Sequence, residues 1–298
     1  MGRQNKYLRV QKHLVVSLAV VAVLVLLLIA VGVSRDNSNM NNIYDASQFA
    51  SLQSDLFPTE GFKTEIILGD TIPRLVESGA IDMDKIRQIY DNKLTDYQTK
   101  ILTESSNEQL TLTPENANFL LIVFWSLGIS NKNSILEETA KYDGVANLAS
   151  TGGWILGKQD AMTYFNKLDL IKLTPEQQAN FEEVAKNTYR PCCNNPTAFP
   201  DCNHGAALLA LLELGASQGL SKDELYTLAL QANTLWFPQQ YLSTAVYLRT
   251  KNIDYWSSAR DIVGYDYSSV TGWMSNVYKP LQSSNLLPQT EGGGSCGI

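Results

Sequence analysis

The sequence predicts a mainly α-helical domain carried outside the cytoplasm by a single N-terminal transmembrane helix. Three observations carry this expectation. An unbroken apolar run, Leu14 to Val33, follows a basic N-terminus. Beyond it, start signals such as Thr-Pro-Glu and Ser-x-x-Glu recur ahead of apolar residues at helical spacing. No run of alternating residues is long enough to argue for a sheet, and no fixed-period repeat is present.

Taken in order, residues 1–13 form a basic cytoplasmic tail with Arg3, Lys6, Arg9 and Lys12 and no acid. The run 14–33 has Ser17 as its only polar member. About 20 residues at ~1.5 Å rise match the ~30 Å hydrocarbon core of a bilayer. The run is longer than the apolar region of a cleaved signal peptide, and no small-residue cleavage pattern or nearby cysteine ends it. It therefore reads as a signal-anchor in the cell membrane. The basic side stays cytoplasmic, which places the C-terminal domain extracytoplasmic. Residues 34–55, rich in Asn, Ser, Asp and Gln, read as a flexible linker.

Residues 56–298 read as the helical domain. Asp82 can cap a short helix bearing Ile86 and Tyr90. Thr113-Pro114-Glu115 opens a helix whose Phe119, Leu120, Ile122, Val123 and Trp125 make it apolar nearly all round, and Gly128 is expected to close it. Thr174-Pro175-Glu176-Gln177 fits a capping box ahead of Phe181 and Val184. A long apolar helix follows, from about Gly205 to near Gly219. Ser221 to Glu224 caps the next, and Tyr241, Ala245 and Leu248 mark another beyond Pro238.

Charge excludes one class of function. Of 23 Lys+Arg, four precede the apolar run, which leaves 19 against 30 Asp+Glu, or −11, for the part beyond it. Such a surface repels nucleic acid, so DNA or RNA is not an expected partner. Gly152 to Lys158 imitates a phosphate-binding loop, but Gln159 lacks the magnesium-binding hydroxyl and no apolar strand leads in, so it reads as a glycine turn before a helix.

The chemistry collects in the loop 190–205, Arg-Pro-Cys-Cys-Asn-Asn-Pro-Thr-Ala-Phe-Pro-Asp-Cys-Asn-His-Gly. It holds Cys192, Cys193, Cys202 and His204. The fourth cysteine, Cys296, lies in the Gly-rich tail 291–298. Three readings follow. In the first, Cys192, Cys193, Cys202, His204 and Cys296 ligate a metal ion, with copper, zinc or an iron–sulfur group as candidates. In the second, two disulfides join Cys192 and Cys193 separately to Cys202 and Cys296, in a stapled binding or scaffold protein of the cell envelope without catalysis. In the third, a redox-active or nucleophilic thiol uses His204 as base. No catalytic group is assigned, and the protein partner is unspecified.

The loop string resembles the signature of an uncharacterised family of membrane-anchored prokaryotic proteins. The similarity runs from about Gly69 to the C-terminus. It includes Asn131-Lys132-Asn133, Ser150-Thr151-Gly152-Gly153-Trp154, Trp236-Phe237-Pro238 and the closing Gly-Gly-x-Cys-Gly. The resemblance implies an anchored prokaryotic protein and carries no activity with it.

Overall fold

The structure, a computed structural model, describes residues 46–288. The basic tail, the apolar run 14–33 and the tail 291–298 with Cys296 lie outside the described residues. Among the described residues no helix is long and apolar enough to cross a membrane. The domain is mainly helical, as the sequence predicts.

Helix α1 (Ala46–Leu56) occupies nearly half of the predicted linker, which corrects that reading for residues 46–55. Phe49, Leu52 and Leu56 recur at helical spacing, a pattern hidden by the polar residues between them. Leu56 is buried. From Gln53 onward the chain forms one compact unit.

Strands β1 (Phe62–Gly69) and β2 (Ser106–Leu112) pair antiparallel, from Phe62 opposite Leu112 to Gly69 opposite Ser106. This small sheet was not expected. Thr64, Ile66 and Leu68 face the core while Lys63, Glu65 and Ile67 face out. A polar Thr inside and an apolar Ile outside disguise the alternation. Thr64 is satisfied by donating to Leu110 O at 2.8 Å. The Gln218 side chain bonds both backbone groups of Ile67, at 2.8 and 2.7 Å, and so covers the outer edge of β1 there.

Between the strands lie α2 (Thr71–Glu77), α3 (Met83–Ile89) and α4 (Asp96–Thr103). Asp82 caps α3 by accepting from Asp84 N–H at 2.9 Å. Next come α5 (Ala117–Ser130) and the short α6 (Ser134–Thr139), α7 (Ala149–Gly152) and α8 (Ala161–Tyr164). The major helices beyond are α9 (Pro175–Asn187), α10 (Asn203–Ser217), α11 (Lys222–Trp236) and α12 (Pro238–Thr250). Thr174 and Ser221 form reciprocal capping boxes with Gln177 and Glu224, as read from the sequence. The Thr113 signal acts one turn early. Thr113 and Asn116 bond each other's backbone N–H, and α5 itself begins at Ala117.

The core is the pair α5 and α10, in which nearly every side chain is buried. Helices apolar all round must lie inside, and the others cover them. Gly128 does not close α5, which runs two residues further. A methyl group there would overlap the Ala206 carbonyl of α10, so the glycine permits close contact between the two helices.

Candidate metal centre

The loop between α9 and α10 is fixed from both sides. At its start, Tyr189 N–H bonds Val263 O at 2.7 Å, and Thr197 N–H returns to Thr188 O at 2.8 Å. Val270 N–H bonds Cys193 O at 2.9 Å, and Thr271 N–H bonds Asn194 Oδ1 at 2.9 Å. At the other end Ser150 Oγ donates to Pro200 O at 2.5 Å. Prolines 191, 196 and 200 preset their own φ angles along the same path.

At the centre lies Arg190, wholly buried. Its Nε donates to Cys202 Sγ at 3.2 Å and its Nη1 to Asn195 O at 2.8 Å. Its Nη2 reaches Asp201 Oδ1 at 2.5 Å and Phe199 O at 3.4 Å. Asn195 Nδ2 holds the second Asp201 oxygen at 2.8 Å. A buried guanidinium is tolerable only when its fork of donors is filled in this way.

Around it the ligand atoms of Cys192, Cys193 and Cys202 all lie within 4.8 Å of one another. The three cysteines are free and half-buried. Cys192 and Cys202 Sγ are 3.6 Å apart, and Cys193 Sγ is 3.6 Å from Asp201 Oδ1. Cys202 also caps α10, accepting Gly205 N–H at 3.3 Å. Hydrogen bonds from Cys192 and Cys193, then the charge and Nε–H of Arg190, hold the Cys202 thiol well below its ordinary value despite burial. Cys192 moves the other way, raised by its bonds to Cys193 and Cys202 and by burial. At Cys193 the bond from Cys192 pulls down, but Cys202 and burial together push the thiol up to about 11. Burial opposes the Arg190 charge, yet the sulfurs of Cys202, Cys193 and Cys192 outweigh it and keep the guanidinium protonated. Negative charge therefore collects on Cys202, facing Arg190 and the first turn of α10.

The five residues predicted as ligands divide into three groups. Cys192, Cys193 and Cys202 come together. Cys296 is outside the described residues. His204 is not among the residues whose ligand atoms gather within 4.8 Å of one another. Its ring packs on Phe237, with centroids 4.4 Å apart, and lies 6.2 Å from Trp236. Burial pushes the imidazole down to about 4, so it is neutral, and Nδ1 is buried without a hydrogen-bond partner.

Arg190, Asn195 and Asp201 were quoted in the motif but given no role by sequence reasoning. Their signal was present only as polar residues interleaved with the cysteines. Other motif strings pack against the core pair α5 and α10. Trp125 Nε1 bonds Ser150 O at 2.9 Å, and Asn131 and Asn133 reach Glu213 of α10. Compared with protein-family models, curated proteins and solved structures, the chain matches none.

Proposed function

We propose that the protein binds a thiophilic metal ion through Cys192, Cys193 and Cys202, on the outer side of a membrane in which residues 14–33 anchor it. The observation that carries this reading is the convergence of three free thiols beside one buried cation. Thiolate sulfur is the ligand of copper(I), zinc and iron–sulfur groups. A bound ion would replace the thiol protons, and Arg190 would offset part of the charge of the sulfurs. The closing glycines would allow Cys296 to supply a fourth sulfur where the ion demands one.

One observation favours a second reading. Cys192 and Cys202 are close enough for a small movement to join them, as the stapled-scaffold alternative requires. Metal and thiol analysis of protein purified without added metal separates the two. The metal reading expects about one ion per chain, free thiols once the ion is removed, and a melting point lowered by chelator. Protein with no metal, no free thiols and a melting point lowered only by reductant refutes it.

A further inference from the structure

Resting on that metal reading, we infer that the loop face is a docking surface for a basic, thiol-bearing protein that exchanges the ion with this chain. Two features of the face point this way. First, all three cysteines are only half-buried, so an incoming ligand can approach an ion held there without unfolding the loop.

Second, the segments that clamp the loop present exposed aromatic side chains. Tyr142 is 50% exposed and packs edge-on against Phe199, with centroids 5.7 Å apart. Tyr265 is 44% exposed and packs edge-on against Tyr189 at 5.3 Å. One stands at the Phe199 end of the loop and the other at the Tyr189 end. Each ring is thereby positioned before any partner arrives, and a rigid tyrosine is a favoured anchor in protein interfaces. Each is followed in sequence by an exposed acid, Asp143 or Asp266, and Asp261 adds a third near the second tyrosine. Lys141, in salt bridge with Glu138, and Arg260, over the Tyr226 ring, do not reverse the sign of that margin. Acids beside both ends of the thiol loop select a partner whose own thiols sit among basic residues.

The exchange is ligand substitution. One metal–sulfur bond forms to the incoming thiol as one to Cys192, Cys193 or Cys202 breaks. The incoming thiol's proton passes to the departing thiolate, and no electron moves.

The test uses the full chain in detergent micelles loaded with copper(I). Two synthetic peptides serve as acceptors, each with a Cys-x-x-Cys core, one flanked by lysines and one by glutamates. The lysine peptide should remove the ion about tenfold faster at low salt, and added salt should erase the difference. Asp143→Lys with Asp266→Lys should equalise the peptides, and Tyr142→Ala with Tyr265→Ala should slow a basic acceptor protein bearing the same core. Neither pair should change the amount of copper bound. Equal rates for both peptides in the parent overturn this inference alone. A chain that takes up no copper(I) removes the metal reading and the inference with it.

Discussion

Gly205 lies directly beneath the guanidinium of Arg190: a methyl group on its Cα would sit 2.5 Å from Nη2 and 2.6 Å from Cζ. The glycine at the start of α10 is thus the floor on which the buried arginine rests. Gly205→Ala should displace Arg190 and break its bonds to Cys202 and Asp201. Arg190→Lys should fail similarly, because an ammonium cannot span the acceptors that the fork reaches. Breaking a buried ion pair costs about 3–5 kcal/mol, so both variants should melt well below the parent. Their Cys202 should also alkylate differently at neutral pH. Parent-like melting in both would mean that the arginine is not the keystone of the loop.

Serine substitutions at Cys192, Cys193 and Cys202 should each reduce bound metal, because each removes one of three converging sulfurs. His204→Ala should not. Its ring packs on Phe237 and lies outside the thiol set, so its loss opens a cavity and costs stability of about 2–5 kcal/mol. Metal content read by mass spectrometry alongside thermal melts separates the two effects. A His204→Ala protein that loses its ion but keeps its stability would return the imidazole to the ligand set.

Gly128→Ala offers a test of the core that runs against ordinary propensity. In a helix interior, replacing Gly by Ala is usually favourable by roughly 0.5–1 kcal/mol. Here the added methyl would overlap the Ala206 carbonyl, and forced overpacking costs about 1–3 kcal/mol. The variant should be less stable in urea. Ala206 is four residues beyond Cys202, so the same displacement should raise the reactivity of the loop thiols.

Much of this was legible in the sequence because it is local. Ser221, Thr174 and Asp82 sit where their side chains cap helices, and the fully apolar faces of α5 and α10 required burial. The three loop cysteines announced themselves by proximity. What was not legible depends on partners far along the chain. The β1–β2 pairing is set by the burial of Thr64 against Leu110 and by Gln218 at the edge. The role of Gly128 is set by Ala206. The surroundings of His204 were not legible either, because its ring meets Trp236 and Phe237 of a distant segment. The burial of Arg190 depends on acceptors at Asn195, Phe199 and Asp201 that only the folded loop aligns.

Glu213 gives the sharpest pH prediction. It is 1% exposed within α10, and its oxygens accept from Asn131 Nδ2 at 3.0 Å and Asn133 Nδ2 at 3.4 Å. Asn131 in turn accepts the N–H groups of Leu170 and Ile171, each at 2.9 Å, so the carboxyl ties α10 to the segment beyond α8. Burial pushes Glu213 up to about 8, with the two amides pulling back weakly. In the unfolded chain the same group ionises near 4.5. Between those values the native state holds a proton that the unfolded state has lost, so stability falls as pH rises. The contribution is complete below about 4.5 and is lost as pH passes through about 8. Glu213→Gln imitates the protonated carboxyl and removes the slope. In urea titrations the variant should match the parent near the acid end of this window and exceed it at the alkaline end, by roughly 3–5 kcal/mol at most. A parent whose stability holds level across the window would show that the carboxylate is ionised in place, with Asn131 and Asn133 sufficient to support its charge.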